Sequence, residues 1–180
     1  MPISTPEKEP TNTSDQHYLL KFLLAAGAFL FVGTVQGVLQ VLPPIRSWLD
    51  SIGSPITGPG HMIDPLAHAH VNIVGGLVMI SMAMSYYLLE KISEKPLYSR
   101  RLANHSFWWL TFGVIGFYST LIIFGYMEGE LMLADMMDEA IALHSIYGIT
   151  IAIVSTIMGM GFWIYFANIF VTIRRIYKSS

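Results

Sequence analysis

The stretch PLAHAHVNIVGGLVMISMAMSYYLL, residues 65–89, is an uncharged and mostly apolar run. A run of about 20 apolar residues is enough to cross the hydrocarbon core of a bilayer as a helix. His68 and His70 lie close to its start. Because an ionisable side chain inside a bilayer is costly, intramembrane histidines are candidates for function. The stretch therefore predicts a membrane-spanning helix that carries a functional site.

Three further runs are similarly apolar, and they cover residues 22–42, 107–127 and 141–173. The chain is 53% hydrophobic and 12% charged, whereas soluble proteins are about 25% charged. Continuous runs of this length do not alternate as barrel strands do, so helices are the expected spanning form. We predict an all-α, integral membrane four-helix bundle over residues 19–173. The fourth run is longer than one span requires, which indicates tilt or an extension.

The distribution of basic residues predicts the orientation of the bundle, because cytoplasmic segments are enriched in Lys and Arg. One end carries Lys8, Lys21, Lys91, Lys95, Arg100, Arg101, Arg174, Arg175 and Lys178, whereas the other has Arg46 alone. Both termini are therefore expected in the cytoplasm. Residues 1–18 are interpreted as a disordered cytoplasmic tail and residues 174–180 as a basic cytoplasmic tail. The expected location is the inner membrane of a prokaryote.

The absence of cysteine limits the chemistry that the chain can support. It excludes disulfides, thiolate metal sites, iron–sulfur clusters and covalent attachment of c-type haem through cysteine. The net charge of −2 gives no indication of a nucleic-acid partner.

Helix geometry places the histidines relative to one another. His68 and His70 differ by about 200° around a helix and point to nearly opposite faces, so they cannot both ligate one iron. If the second helix begins near Pro65 and the fourth near Ala140, His144 lies in the same shallow outer layer as the pair. His105, which opens the third helix at the opposite end, is excluded from that layer. The pattern indicates metal or haem chemistry, against the alternative of hydrogen-bonded packing residues.

Several motifs, in order, resemble the C-terminal third of haem-copper oxidase subunit I. They are His68-Ala-His70, Gly75-Gly76, Tyr86-Tyr87-Leu88, the segment from Leu97 to Asn104, Phe107-Trp108, Gly113, Gly125-Tyr-Met-Glu-Gly129 and His144-Ser-Ile-Tyr-Gly148. Together they are similar to the last helices of the C-family (cbb-type) cytochrome c oxidases and the related nitric oxide reductases. The resemblance covers roughly residues 64–177.

This resemblance implies that His68 is the ligand of a high-spin haem and His70 the ligand of a low-spin haem. The family's copper-site histidines and its second low-spin ligand have no counterpart in the chain. The chain is therefore not expected to be catalytic alone. Because His144 stands where the family usually has another residue, our hypothesis is one bis-histidine haem b between the second and fourth helices. His144 and His70 would hold it, and His68 is the alternative to His70 as the ligand from the second helix. Binding of two haems is a further alternative.

The expected function is a membrane b-type cytochrome that carries electrons in a respiratory-type complex. The expected partners are membrane lipid and other membrane or periplasmic electron-transfer subunits, and pairing of two copies is open. The alternatives are part of a split oxidase or nitric oxide reductase and a haem-free structural or assembly subunit. A small zinc or copper site at His61 and Asp64 is a further alternative. Glu128 and Glu130 are interpreted as solvated loop carboxylates, with proton or quinone contacts near the outer surface as the alternative.

Overall fold

A computed structural model describes residues 13–178, and side chains from Gln16 onward. Five helices follow a short 3₁₀ segment, Thr13–Leu19. They are α1 Leu20–Gln40, α2 Pro43–Ser51, α3 Gly58–Ser93, α4 Arg100–Leu133 and α5 Met137–Lys178. Of the predicted tails, residues 1–12 and 179–180 lie outside the described part. Residues 13–18 are in the 3₁₀ segment, and residues 174–178 continue α5 as a helix.

Four of these helices are long and apolar enough to cross a membrane, by length and composition. The fifth, α2, is a short helix that lies between the first two spans and begins at a double proline. Proline is well tolerated in the first turn of a helix, where its missing N–H costs nothing. The predicted all-α, four-span membrane architecture is therefore confirmed for the described residues.

The order of packing is α1, α3, α4, α5: α3 contacts both α1 and α4, and α4 packs along α5. We call the end formed by residues 41–57 and 134–136 the acidic end. The other end, which includes residues 94–99, is called the basic end. The main core lies toward the basic end, where Phe22, Tyr86 and Phe107 form edge-on aromatic contacts. Many large apolar side chains on α1 and α5 are exposed, as expected of surfaces that face lipid.

The spanning helices α3, α4 and α5 are longer than the predicted runs, whereas α1 has the predicted length and begins two residues earlier; the difference matters most for α3. It begins at Gly58, seven residues before Pro65, which sequence analysis took as its start. Pro65 lacks an N–H and disfavours helical backbone in the residue before it. Asp64 accordingly has φ −135° and ψ 110°, and the helix resumes after this break. The histidine pair therefore lies deeper along α3 than the sequence indicated.

A buried polar cluster joins α4 to α5 at the basic end. Asn168 is fully buried; its Nδ2 donates to the carbonyl of Ser99 at 3.0 Å, and its Oδ1 accepts from the Ser99 N–H at 3.1 Å. Ser99 also caps α4, because its hydroxyl accepts from the N–H of Leu102 at 3.2 Å. Asn168 thus fixes the start of α4 against α5.

We expect Asn168→Leu to lower the free energy of unfolding by about 1–3 kcal/mol, because two backbone groups of Ser99 lose their buried partner. The measurement is unfolding in mixed detergent micelles with increasing SDS. Thr156→Val is the control, since this exposed hydroxyl bonds only the carbonyl of Ala152 in its own helix. Equal stability of the two variants would show that the Asn168 bonds contribute nothing.

Candidate functional site: histidines on α3 and α5

The break in α3 is stabilised from α1. The carbonyl of Ile63, immediately before the break, accepts hydrogen bonds from Gln36 Nε2 at 2.9 Å and Gln40 Nε2 at 3.2 Å. Both glutamines are buried. A buried carbonyl outside a regular helical ladder needs such partners. The two glutamines therefore hold the segment that leads into the histidine pair.

His68 and His70 form a short α-helical segment, which wider π-helical turns flank on both sides, Met62–Ala67 and Val71–Val78. Such turns are frequent at functional sites because they change the direction of side chains within a helix. The two π-helical segments of α3 lie where this helix packs between α1 and α4.

His70 points toward α4, and the hydrogen bond of its ring fixes its tautomer. Its Nδ1 lies 2.8 Å from the carbonyl oxygen of Leu66, and its ring packs against Phe117 with 4.5 Å between centroids. A carbonyl can only accept, so Nδ1 carries a proton, and in the neutral form of the ring Nε2 is then the nitrogen with the lone pair. This is the form in which a histidine binds a metal through Nε2 while a second partner orients the ring.

His68 points the other way, toward α1. An added Cβ at Gly37 would lie 2.9 Å from His68 Cε1, so the ring lies directly on the backbone of α1. Gly33, one turn earlier, makes room for Asn72 in the same way. The ring nitrogens of His68 lie 3.5 Å from Asn72 Nδ2, at the limit of a hydrogen bond. The predicted divergence of His68 and His70 is confirmed, and the Gly33–Gly37 pair on α1 is a feature that sequence analysis missed.

His144 lies on α5 and pairs with α4 instead of α3. Its Nδ1 donates to Glu128, 3.0 Å from Oε2 and 3.2 Å from Oε1. The Glu128 side chain is 7% exposed and that of His144 is 59% exposed. The interpretation of Glu128 as a solvated loop carboxylate is wrong, because α4 continues to Leu133 and buries it. Glu130 is exposed and accepts from Trp48 Nε1 at 2.9 Å.

The expectation that His144 shares a layer with the α3 pair is also wrong. His70 contacts α4 at Phe117 and His144 contacts it at Glu128. Eleven residues separate these positions, which is about 16 Å along a helix at 1.5 Å per residue. The physical reason is the early start of α3, which carries its histidines deeper. Within the described residues, one copy therefore does not bring His70 and His144 together on opposite sides of one iron.

The outer loop cluster at the acidic end is an ion-pair network. Asp64 Oδ2 accepts from Arg46 Nη1 at 2.7 Å and from the Ser54 hydroxyl at 3.1 Å. Hydrogen bonds to Asp50 and then to Asp64 raise the pKa of Arg46. His61 donates from Nδ1 to the carbonyl of Pro55. No group of three His, Asp or Glu residues suited to a metal ion occurs in residues 13–178.

Comparison with known proteins places this arrangement in a family. The family model described as cytochrome c and quinol oxidase polypeptide I matches residues 11–152. The chain belongs to this family. It is 23% identical over 129 residues to the cbb3-type cytochrome c oxidase subunit CcoN1 of Stutzerimonas stutzeri, a match that covers 71% of the chain and 25% of that protein. It is 31% identical over 107 residues to cytochrome c oxidase subunit 1 of Rhodobacter capsulatus, covering 51% of the chain and 20% of that protein.

Membership confirms the resemblance to oxidase subunit I, and with the four spanning helices it makes the chain a multi-pass membrane protein. The chain matches only a quarter and a fifth of the length of these two relatives. The range that matches the family model includes His68 and His70 on α3 and His144 on α5.

Proposed function

We propose that this chain is a membrane haem b subunit of a respiratory-type complex, in which an α3 histidine ligates the iron. The observation that carries the proposal is the hydrogen bond from His70 Nδ1 to the Leu66 carbonyl at 2.8 Å. It leaves Nε2 of an oriented imidazole available on a membrane-spanning helix. The donor chemistry at this position fits a haem iron.

His70 is the ligand we favour over His68. The His70 ring has one strong hydrogen bond and a ring contact that together fix its orientation, whereas the ring nitrogens of His68 have only the 3.5 Å contact to Asn72. A haem held by protein ligands supplies one-electron transfer. In this chain, Leu66 orients the imidazole and keeps its proton on Nδ1, and Phe117 restricts its rotation.

A second haem ligand besides His70 would come from outside one copy of the described residues. His144 is about 16 Å from the level of His70 along α4, so it is not the partner ligand within one copy. The chain covers 25% and 20% of its two relatives, and the second ligand is proposed to lie outside residues 13–178. Held by His70 and a second ligand, the haem would supply one-electron transfer within the complex.

The proposed orientation has the basic end in the cytoplasm of a cell bounded by an inner membrane. The basic end carries Lys91, Lys95, Arg100 and Arg101 in and around the α3–α4 connection, whereas Arg46 is the basic residue of the acidic end. This asymmetry follows the positive-inside rule.

The test is a reduced-minus-oxidised absorption spectrum of the full chain, purified in detergent after haem-replete expression. We expect a b-type spectrum. With one protein ligand per iron, carbon monoxide should shift it in the isolated chain and not in the native complex. A preparation without a Soret band would contradict the proposal and favour a haem-free structural subunit.

A second candidate, part of a split oxidase or nitric oxide reductase, is favoured by His68, which occupies the flank of α3 opposite to His70. It requires catalytic groups from another polypeptide. Oxygen or nitric oxide consumption by the purified native complex, with carbon monoxide binding retained there, would favour it over the electron carrier.

A further inference from the structure

A cavity of about 340 Å³ lies between α1 and α4 in the half of the bundle toward the acidic end. None of its lining residues is among the hydrogen-bond or ring partners found for His70 and His144. Its lining residues on α1 are Phe31, Val32, Val35, Gln36 and Leu39, and those on α4 are Tyr118 and Ile122. A cavity of this size with an apolar lining and a single amide is typical of a small-molecule site.

Gln36 is the polar feature of this cavity. It is 8% exposed, and its Nε2 donates to the carbonyl of Ile63 at 2.9 Å. Its Oε1 is buried and has no hydrogen-bond partner among the described residues. Because a buried acceptor without a partner costs free energy, this oxygen favours a ligand that donates a hydrogen bond to it. Because Nε2 already donates to the Ile63 carbonyl, Oε1 is the amide atom that remains available to a ligand.

The surroundings restrict what the ligand can be. The residues that line the cavity include no charged side chain, so a charged head group would be buried without compensation. Phe31 and Tyr118 provide aromatic surface. Phe31 is 69% exposed and Leu39 44% exposed on the outside of the bundle, which in a membrane is the lipid side. A ligand would therefore enter from the bilayer.

We propose that this cavity binds an uncharged, membrane-dissolved molecule that presents a hydroxyl group on an apolar body, with the hydroxyl donating to Gln36 Oε1. A hydroquinone with an alkyl tail and a long-chain alcohol both have this chemistry. The proposal is independent of haem, because none of the lining residues is a histidine.

The experiment measures binding to the full chain in lipid nanodiscs by saturation-transfer NMR and calorimetry. The probes are a decyl-substituted hydroquinone, its di-O-methyl ether and dodecanol. Gln36→Met should weaken binding of the hydroquinone by about tenfold, the value of one hydrogen bond. It should leave binding of the ether unchanged, because the ether has no hydroxyl to donate. If dodecanol binds as tightly as the hydroquinone, the cavity recognises the hydroxyl group and the alkyl chain alone. If dodecanol binds more weakly, the cavity also recognises the aromatic ring of the hydroquinone.

The matched control is Gln40→Met. Gln40 donates to the same Ile63 carbonyl at 3.2 Å but does not line the cavity, so this variant should bind the hydroquinone like the unmodified chain. Val35→Phe fills the cavity while keeping Gln36, and it should abolish binding of all three probes even if Gln36→Met does not fold. Unchanged hydroquinone binding in Val35→Phe, or an equal effect of the two glutamine variants, would overturn the proposal. Haem absorbance recorded on the same samples reports separately on the proposed function.

Discussion

His70→Ala is expected to remove the b-type absorption of the purified chain, by at least about tenfold per mole of protein. The variant deletes the imidazole whose Nδ1 donates to Leu66 and whose Nε2 is proposed to bind the iron. Loss of a group that only orients a ligand already costs about 10–100-fold in metal affinity, and loss of the ligand itself should cost at least as much. The measurement is the Soret and reduced-minus-oxidised spectrum normalised to protein concentration.

Two further histidine variants give this prediction its specificity. His105→Ala alters an exposed residue at the basic end of α4 and should leave the spectrum unchanged. His68→Ala should also retain the haem, because its ring faces α1. Loss of the spectrum in His68→Ala with retention in His70→Ala would place the ligand on the wrong flank and refute our assignment.

A rescue experiment separates ligation from packing, since His70 also contacts Phe117. His70→Gly leaves a space on α3 into which free imidazole can diffuse. We expect millimolar imidazole to restore the b-type spectrum in this variant and to have no such effect in His105→Ala. A purely structural role for His70 predicts no rescue.

The sequence predicted the spanning helices and the divergence of the histidine pair because both follow from local rules. Four long apolar runs require helices in lipid, and residues two apart on a helix face nearly opposite sides. The two π-helical segments around His68 and His70 did not change that outcome, since the short stretch between them is α-helical. Gln36 and Gln40 lie within the first apolar run, but no local pattern identifies the Ile63 carbonyl that both contact.

The depth of the histidines was not predictable, because it depends on tertiary contacts around Pro65. A proline within an apolar run normally marks a boundary, so the predicted helix begins there. In the structure, Ile63 is held by the two glutamines of α1 and Asp64 by Arg46, and α3 extends beyond the break to Gly58. These contacts connect residues 18–27 positions apart, and no local pattern identifies them.

Glu128 illustrates the same limitation for charge. The acidic residues that surround it in sequence favoured a solvated loop, and only the extension of α4 to Leu133 buries its carboxylate. Its hydrogen bond to His144 directs the Nδ1 proton of that ring to α4. The imidazole of His144 is therefore oriented by a carboxylate on a different helix and at a different level from His70.

Gly113→Ala is expected to lower the free energy of unfolding by about 1–3 kcal/mol, although alanine is the better helix former. Its added Cβ would overlap the backbone of Met158 on α5, which cannot rotate away as a side chain can. Overpacking of this kind forces backbone shifts of that cost. Gly161 makes the reciprocal contact, since its Cβ would lie 2.7 Å from the backbone nitrogen of Leu110 on α4. Close approach of backbones through glycine is a common basis for helix association in membranes.

The matched control is Gly148→Ala, which makes the same change on α5, where an added Cβ would have no neighbouring atom within 4 Å in the described residues. Here the helix propensity of alanine acts alone, and we expect stability to be unchanged or to increase by up to about 1 kcal/mol. The two variants should therefore shift SDS-induced unfolding in opposite directions. If both are neutral, α4 and α5 do not approach at Gly113, and the hydrogen bond between Glu128 and His144 would lose the helix contact on which it depends.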